Sequence, residues 1–244
     1  MTRELSQFYR QRFDEFQRDL VDSWCIRKST LPSVWSNLRT IHRRYLGIAC
    51  LTTVLSQNAQ RNDYVRALPE VNYLSMILSV KGLENSAFVL LRQSIELVLK
   101  HIYFSTHPIE FGWSLRREDY REISFQFLLE YVRKTDEWKN TGWMVSLISD
   151  LEGQFHILSR FVHMQSRTFI PYGRGRNLLA TNAASIAAFE GRCRILWPAL
   201  LALLIVFFPT KFARANANER ALMLTTAGTA WRQRIKTYLH SLSR

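Results

Sequence analysis

The chain has 244 residues, 47% of them apolar, which is enough to build a hydrophobic core and excludes a fully disordered protein. Its 9 glycines and 6 prolines are few for this length, whereas all-β folds use both freely in turns, so the composition favours helices. Lys and Arg number 33 against 20 Asp and Glu, a formal charge of +13 that favours a polyanionic partner over a neutral one.

Apolar residues recur at helical spacing along most of the chain. The pattern predicts eight helices, at residues 2–28, 33–59, 68–80, 85–104, 117–134, 143–168, 182–208 and 217–242. The third and fourth are expected to form a helical hairpin joined around Lys81-Gly82. A loop is expected at 105–117, and the Gly, Pro and Arg residues of 170–176 form the clearest break. We therefore predict an all-α helical bundle, with residues 1–60 as an N-terminal helical extension and residues 61–244 as the bundle domain.

The longest apolar run extends from Ile195 to Phe208, or 14 residues, and a helix needs roughly 18 or more to span a bilayer. We expect it to form a buried core helix. The first residues contain no apolar signal segment, which predicts a cytoplasmic protein without a membrane partner. Cys25, Cys50 and Cys193 are isolated, so we expect no disulfide framework, no metal site and no cofactor.

Arginine dominates the basic residues, with 26 Arg and 7 Lys. Its forked guanidinium contacts phosphate and stacks on bases, which favours a nucleic-acid partner. A GC-rich genome would also enrich Arg, and an acidic protein or a membrane surface would also attract positive charge.

A charged stripe is predicted on the apolar helix at 85–104. Arg92, Glu96 and Lys100 are spaced at i, i+4 and i+8, so Glu96 could pair with both cations. One interpretation is a solvated stripe on an amphipathic helix. The other is a semi-buried cleft, where a charge pair often has a functional reason.

A second stripe is predicted on the helix at 143–168, with spacings of 4, 3 and 4. Its members are His156, Arg160, His163 and Arg167. Four groups that can carry positive charge on one face repel each other unless an anion lies along them, which indicates phosphate contacts. Arg174 and Arg176 follow in the adjoining loop. An ordinary exposed basic face is the alternative interpretation.

These two segments resemble the HEPN superfamily, helical-bundle proteins of bacterial defence and toxin systems. The resemblance covers about residues 70–210. It is carried by Leu91-Arg92-Gln93-Ser94-Ile95-Glu96 on one core helix and by an LSxxVH motif, Leu158-Ser159-Arg160-Phe161-Val162-His163, on a later one. Many members are metal-independent endoribonucleases that dimerise to pair Arg and His residues in one RNA-cutting site.

The usual HEPN pattern is an Arg followed by four to six residues and a His, and this chain departs from it. Only two residues separate Arg160 from His163, and Arg92 lies on another helix. Arg234 and His240 do have the usual spacing, but they lie near the C-terminus, outside the region of resemblance.

The resemblance implies an RNA-cutting site. His163 would act as general acid or base, Arg92 and Arg160 would stabilise charge on the phosphate, and Glu96 would position Arg92, with Ser159 supporting them. The residues His156, Arg167, Arg174 and Arg176 are predicted to bind the nucleic acid, RNA rather than DNA. A homodimer, or a place as a subunit in a larger complex, is also expected.

Two other functions remain open from the sequence. One is a non-catalytic subunit that binds RNA or DNA within a larger defence or mobile-element complex. The other is a scaffold whose basic face meets an acidic protein.

Overall fold

The computed structural model describes residues 3–24, 26, 31–56, 63–116, 122–162 and 183–242. Over these residues the predicted all-α fold is confirmed, since they form helices and no strand. The helices are α1 (Arg3–Asp22), α2 (Trp35–Ser56), α3 (Asp63–Val80), α4 (Glu84–Thr106), α5 (Pro108–Ser114), α6 (Phe125–Lys134), α7 (Asp136–Asn140), α8 (Met144–Val162), α9 (Ala183–Phe207), α10 (Pro209–Arg214), α11 (Ala217–Thr226) and α12 (Gly228–Leu242).

The helix α9 is the centre of the bundle. Every residue from Leu196 to Val206 is buried, because α2, α4, α8 and α12 all pack around it. A helix that is apolar on its whole circumference needs such enclosure. The predicted buried core helix is therefore confirmed. Within the described ranges, no helix combines the length and apolarity needed to cross a membrane.

The predicted hairpin of α3 and α4 is also confirmed, with its turn at Lys81 and Gly82. Gly82 has φ of 76°, in the left-handed region that glycine adopts without strain. The backbone N–H of Leu83 donates to the carbonyl of Leu78 at 2.9 Å, which satisfies a carbonyl at the end of α3. The hairpin holds the helix with the first charged stripe firmly against its neighbours.

The first two helices pack on the rest of the bundle. Ile41, Ile48 and Leu51 of α2 belong to the same hydrophobic core as α9. Gly47 allows α11 to approach, because a Cβ at this position would overlap the side chain of Thr226. The division of the chain near residue 60 stays a prediction, and α2 from the predicted extension lies in the main core.

Two helix predictions are wrong near the middle of the chain. The expected loop at 105–117 contains α5, because a proline that ends one helix can also occupy the first turn of the next, as Pro108 does. The helix expected from 117 instead begins at Phe125, where the Ser124 hydroxyl accepts from the backbone N–H of Phe127 at 3.2 Å.

Two further boundaries differ at the ends of the chain. The first helix ends at Asp22 rather than at residue 28. The helix predicted at 217–242 is divided into α11 and α12, because Gly228 has φ of 69° and interrupts the helical backbone. The predicted end of α8 at residue 168 lies outside the described residues, which stop at Val162 on this side.

Candidate nucleic-acid site

The two motif segments meet where α4 packs against α8, and Arg92 is at their contact. Its Nε donates to the Ser159 Oγ at 3.1 Å. Its Nη2 lies 2.9 Å from the Glu96 Oε1. The guanidinium also lies over the Phe155 ring, 4.6 Å from the ring centroid. These partners hold the Arg92 side chain on three sides.

The partners of Arg92 are themselves fixed by the fold. The Ser159 hydroxyl donates to the Phe155 carbonyl at 2.7 Å, so its oxygen lone pairs are available to accept from Arg92. The Phe155 ring stacks on Phe125 of α6, with 3.5 Å between centroids and 5° between planes. The apolar platform below the guanidinium is therefore rigid, and it restricts where the positive charge can lie.

The Arg92–Glu96 pair is half-buried, with side-chain exposures of 24% and 22%. Burial raises the pKa of Glu96, while the charges of Arg92 and Lys100 oppose this increase. These exposures fit a semi-buried ion pair rather than a solvated stripe. The pair is shielded enough to strengthen its electrostatics, and Arg92 still reaches solvent.

Lys100 departs from the expected pairing. Its Nζ lies 2.8 Å from the Glu122 Oε1, whereas Glu96 forms its ion pair with Arg92. The Lys100 Nζ also lies over the Tyr64 ring, 5.9 Å from the ring centroid. The prediction that Glu96 pairs directly with both cations is therefore wrong, although Lys100 still acts on it through space.

The second stripe begins on the outer face of α8. His156 and Arg160 are exposed and lie one helical turn apart, so both can meet a ligand in solution. His163, Arg167, Arg174 and Arg176 lie outside the described residues. Their predicted roles stay predictions.

The alternative Arg–His spacing lies on α12. The Nη1 of Arg234 donates to the Ser146 Oγ at 3.2 Å, and its guanidinium lies 5.1 Å from the Trp231 ring centroid. His240 is exposed six residues further along the same helix. This pair uses neither α4 nor the motif residues of α8.

The sequence did not identify Phe155 or Phe125 as parts of the site. Phe155 precedes Ser159 by four residues, so helical spacing alone places both on one face of α8. Phe125 gives no such signal, because its contact with Phe155 joins different helices. Ser94 of the first motif has a structural role instead: its hydroxyl donates to the Asn72 Oδ1 at 2.8 Å in the core.

Among the described residues, no three His, Cys, Asp or Glu side chains lie close enough to hold a metal ion. Comparison of the chain with protein-family models gives no match, and comparison with curated proteins and with solved structures gives no significant match. The resemblance to HEPN proteins therefore rests on the two motif segments alone.

Proposed function

We propose that this protein is a HEPN-like endoribonuclease of a bacterial defence or toxin system, which binds RNA across α4 and α8 and cleaves it without a metal ion. The observation that carries the proposal is the hydrogen bond from Arg92 to Ser159, which joins the two motif segments of the resemblance. The formal charge of +13 supports a polyanionic substrate.

In the proposed reaction, the ribose 2′-oxygen attacks the adjacent phosphorus while His163 accepts the 2′-hydroxyl proton. The bond to the 5′-oxygen breaks, that oxygen takes a proton from water and leaves as a hydroxyl, and a cyclic phosphate remains on the ribose. Arg92 and Arg160 would donate hydrogen bonds to the phosphate oxygens as negative charge develops. Glu96, Ser159 and Phe155 would keep the Arg92 guanidinium in place for this contact.

The proposed site is suited to pairing of two copies. The exposed residues of α8 form a stripe along one helix face, and a twofold axis would bring the same stripe from each copy together. A substrate strand between them would offset the repulsion of the facing positive charges. A homodimer is thus part of the proposal.

The central experiment is incubation of the purified full chain with single-stranded RNA in EDTA. We expect cleavage by the wild-type chain and none by His163→Ala. The matched variant is His240→Ala, which removes the His of the alternative spacing on α12 and should leave activity unchanged. Loss of activity in His240→Ala with activity retained in His163→Ala would refute the site at α4 and α8.

The role of Ser159 has its own test. Ser159→Ala removes the acceptor of the Arg92 Nε, and a hydrogen bond to a charged group is worth about 1.5–3 kcal/mol. If the bond also holds Arg92 in the transition state, cleavage should slow about 10-fold or more. Ser159→Thr keeps the hydroxyl and should retain most of the rate. Equal rates for both variants would contradict the positioning role.

A second function is favoured by the pairing of Arg92. Its charge is already balanced by Glu96 at 2.9 Å, as in a structural ion pair, so α4 could support a binding surface without taking part in catalysis. The protein would then be a non-catalytic subunit that binds RNA or DNA. No cleavage would occur, and the affinity would decrease steeply with salt concentration because counterions are released on binding.

Salt titrations separate this binding function from a protein scaffold. Arg160→Gln should lower the slope of log affinity against log salt by about 1, whereas Arg18→Gln, an equal charge change on the exposed face of α1, should leave it unchanged. Binding that is indifferent to salt would contradict a nucleic-acid function at this face.

A further inference from the structure

A cavity of about 980 Å³ lies between α1, α2, α3 and the start of α11. Of the residues predicted for the nucleic-acid site, none of those that the structure describes lines it. A volume of this size matches the range of small-molecule sites, and α1 forms one wall. The cavity thus requires its own chemical interpretation.

One wall of the cavity is aromatic. The ring of Phe16 stacks on His42 with 4.8 Å between centroids, and His42 is 6.0 Å from Tyr45. Tyr45 in turn lies 5.7 Å from Tyr73. These four rings are contiguous and all line the cavity. Aromatic faces of this kind attract apolar groups and organic cations.

His42 is a buried polar side chain in this wall, only 5% exposed. Its ring contacts those of Phe16 and Tyr45. Burial lowers its pKa to about 4, so the ring is neutral at physiological pH and keeps one nitrogen that can accept a hydrogen bond. A buried, neutral acceptor that lines a cavity is suited to a ligand that donates a hydrogen bond.

The rim of the cavity is acidic, although the whole chain is strongly basic. Among the described residues, four carboxylates line it together with one guanidinium, that of Arg12. The carboxylates are Glu4, Glu15, Asp19 and Glu219. Arg12 is bound to Glu15 at 2.9 Å, which leaves the other three to set the sign of the local charge.

Two of these carboxylates are fixed in position. Asp19 accepts a hydrogen bond from the Tyr73 hydroxyl, which lowers the pKa of Asp19 and keeps it ionised. Glu219 accepts from the backbone N–H of Asn216 at 2.8 Å, as part of a capping box. That carboxylate offsets the positive end of the α11 dipole, so the helix start does not favour an anion.

We propose that this cavity binds an organic cation with an apolar body, an amine whose ammonium group pairs with Asp19 and whose hydrocarbon or aromatic part packs on Phe16, His42 and Tyr45. The aromatic wall supplies contact area and the acidic rim supplies the charge preference. This inference is independent of the proposed ribonuclease function, because the two sites use different helices.

The test uses tryptamine and two neighbours of nearly the same shape, the neutral alcohol tryptophol and the anion indolepropionate. Titration calorimetry on the full chain should show saturable binding of tryptamine at about 1 mM or tighter. It should also show at least about 10-fold weaker binding of tryptophol, equivalent to about 1.4 kcal/mol. Equal affinities for the three compounds, or no binding of tryptamine, would overturn the proposal.

Variants locate the binding in the cavity. Asp19→Asn keeps an acceptor for Tyr73 but removes the charge, and should weaken tryptamine binding about 10-fold. Glu130→Gln makes the same charge change at an exposed position of α6 and should have no effect. Unchanged affinity in Asp19→Asn, or an equal loss in Glu130→Gln, would overturn the assignment.

A second variant tests whether the ligand occupies the cavity, without changing any charge. Ala49 lines the cavity, so Ala49→Leu adds volume there without changing a charge and should abolish tryptamine binding. Its thermal unfolding, followed by circular dichroism, reports whether the fold is retained. If a short basic peptide binds the wild-type chain while tryptamine does not, the cavity is a peptide site and the proposal is wrong.

Discussion

His101 lies in the core near the end of α4, only 4% exposed, and its ring packs 4.8 Å from that of Phe208. Neither ring nitrogen has a hydrogen-bond partner among the described residues. Burial lowers the pKa of His101 from 6.5 to about 4, since the charged ring would lose its hydration without gaining a partner. We predict that His101→Leu stabilises the protein and removes part of its sensitivity to acid.

The magnitude follows from proton binding. The unfolded chain protonates His101 near pH 6.5, whereas the folded chain does so only near pH 4, so the unfolded state holds more protons between these values. The free energy of unfolding is therefore unaffected by His101 above about pH 6.5, where the ring is neutral in both states, and it decreases as the pH falls toward 4. A pKa difference of this size corresponds to about 3 kcal/mol, of which about 2 kcal/mol is lost by about pH 5.

Leucine also removes two buried polar atoms that lack partners, a gain of about 1–3 kcal/mol that does not depend on pH. Urea unfolding of wild type and His101→Leu, followed by helical circular dichroism at about pH 7 and about pH 5, measures both contributions. The advantage of the variant should be about 2 kcal/mol larger at the lower pH.

The control is Val145→Leu, which introduces the same residue at an exposed position of α8 and removes no titratable group. Its difference from wild type should be the same at both pH values. A stability advantage of His101→Leu that does not change with pH would refute the reasoning from buried, neutral histidine. A variant less stable than wild type at both pH values would show that the ring nitrogens are satisfied in solution.

The glycines of two helices should respond in opposite directions to alanine. Gly47→Ala places a Cβ against Thr226 and should lower the free energy of unfolding by about 1–3 kcal/mol. Gly153→Ala has open space around it and should raise that free energy by about 0.5–1 kcal/mol, both measured by urea unfolding. In the core, Asn72→Leu leaves the Trp197 Nε1 without its acceptor at 2.9 Å and should cost about 1–3 kcal/mol in the same assay, and a neutral result would contradict the buried network.

The parts of the fold that the sequence predicted correctly are those whose signal lies within a single helix or turn. The apolar run of α9 is long and uninterrupted, so burial is its only stable environment, and the turn at Gly82 follows from glycine geometry. The pattern did not predict α5, because Pro108 marks a helix start as well as a helix end. Nor did it predict the break at Gly228, which lies within a segment of good helical spacing.

The contacts of the candidate site were also predictable only where they lie within a single helix. The pairing of Arg92 with Glu96 follows from a spacing of four residues on one helix. The contact of Arg92 with Ser159 joins residues 67 positions apart, and helix spacing cannot supply it. Lys100 pairs with Glu122 for a similar reason, since Glu122 comes from the connection before α6, where no periodic pattern places its side chain.

The two proposed sites carry opposite charge and have no described residue in common. The first is built on α4 and α8 and the second on α1, α2, α3 and α11, while α9 contacts five of these six helices. A substitution that acts locally at one site should therefore leave the other unaffected, since distant changes without shared partners are close to additive. Asp19→Asn should not alter the salt dependence of RNA binding, and Ser159→Ala should not alter tryptamine affinity. If either variant changed both, the two sites would be coupled through α9, and neither could be assigned from its own variants alone.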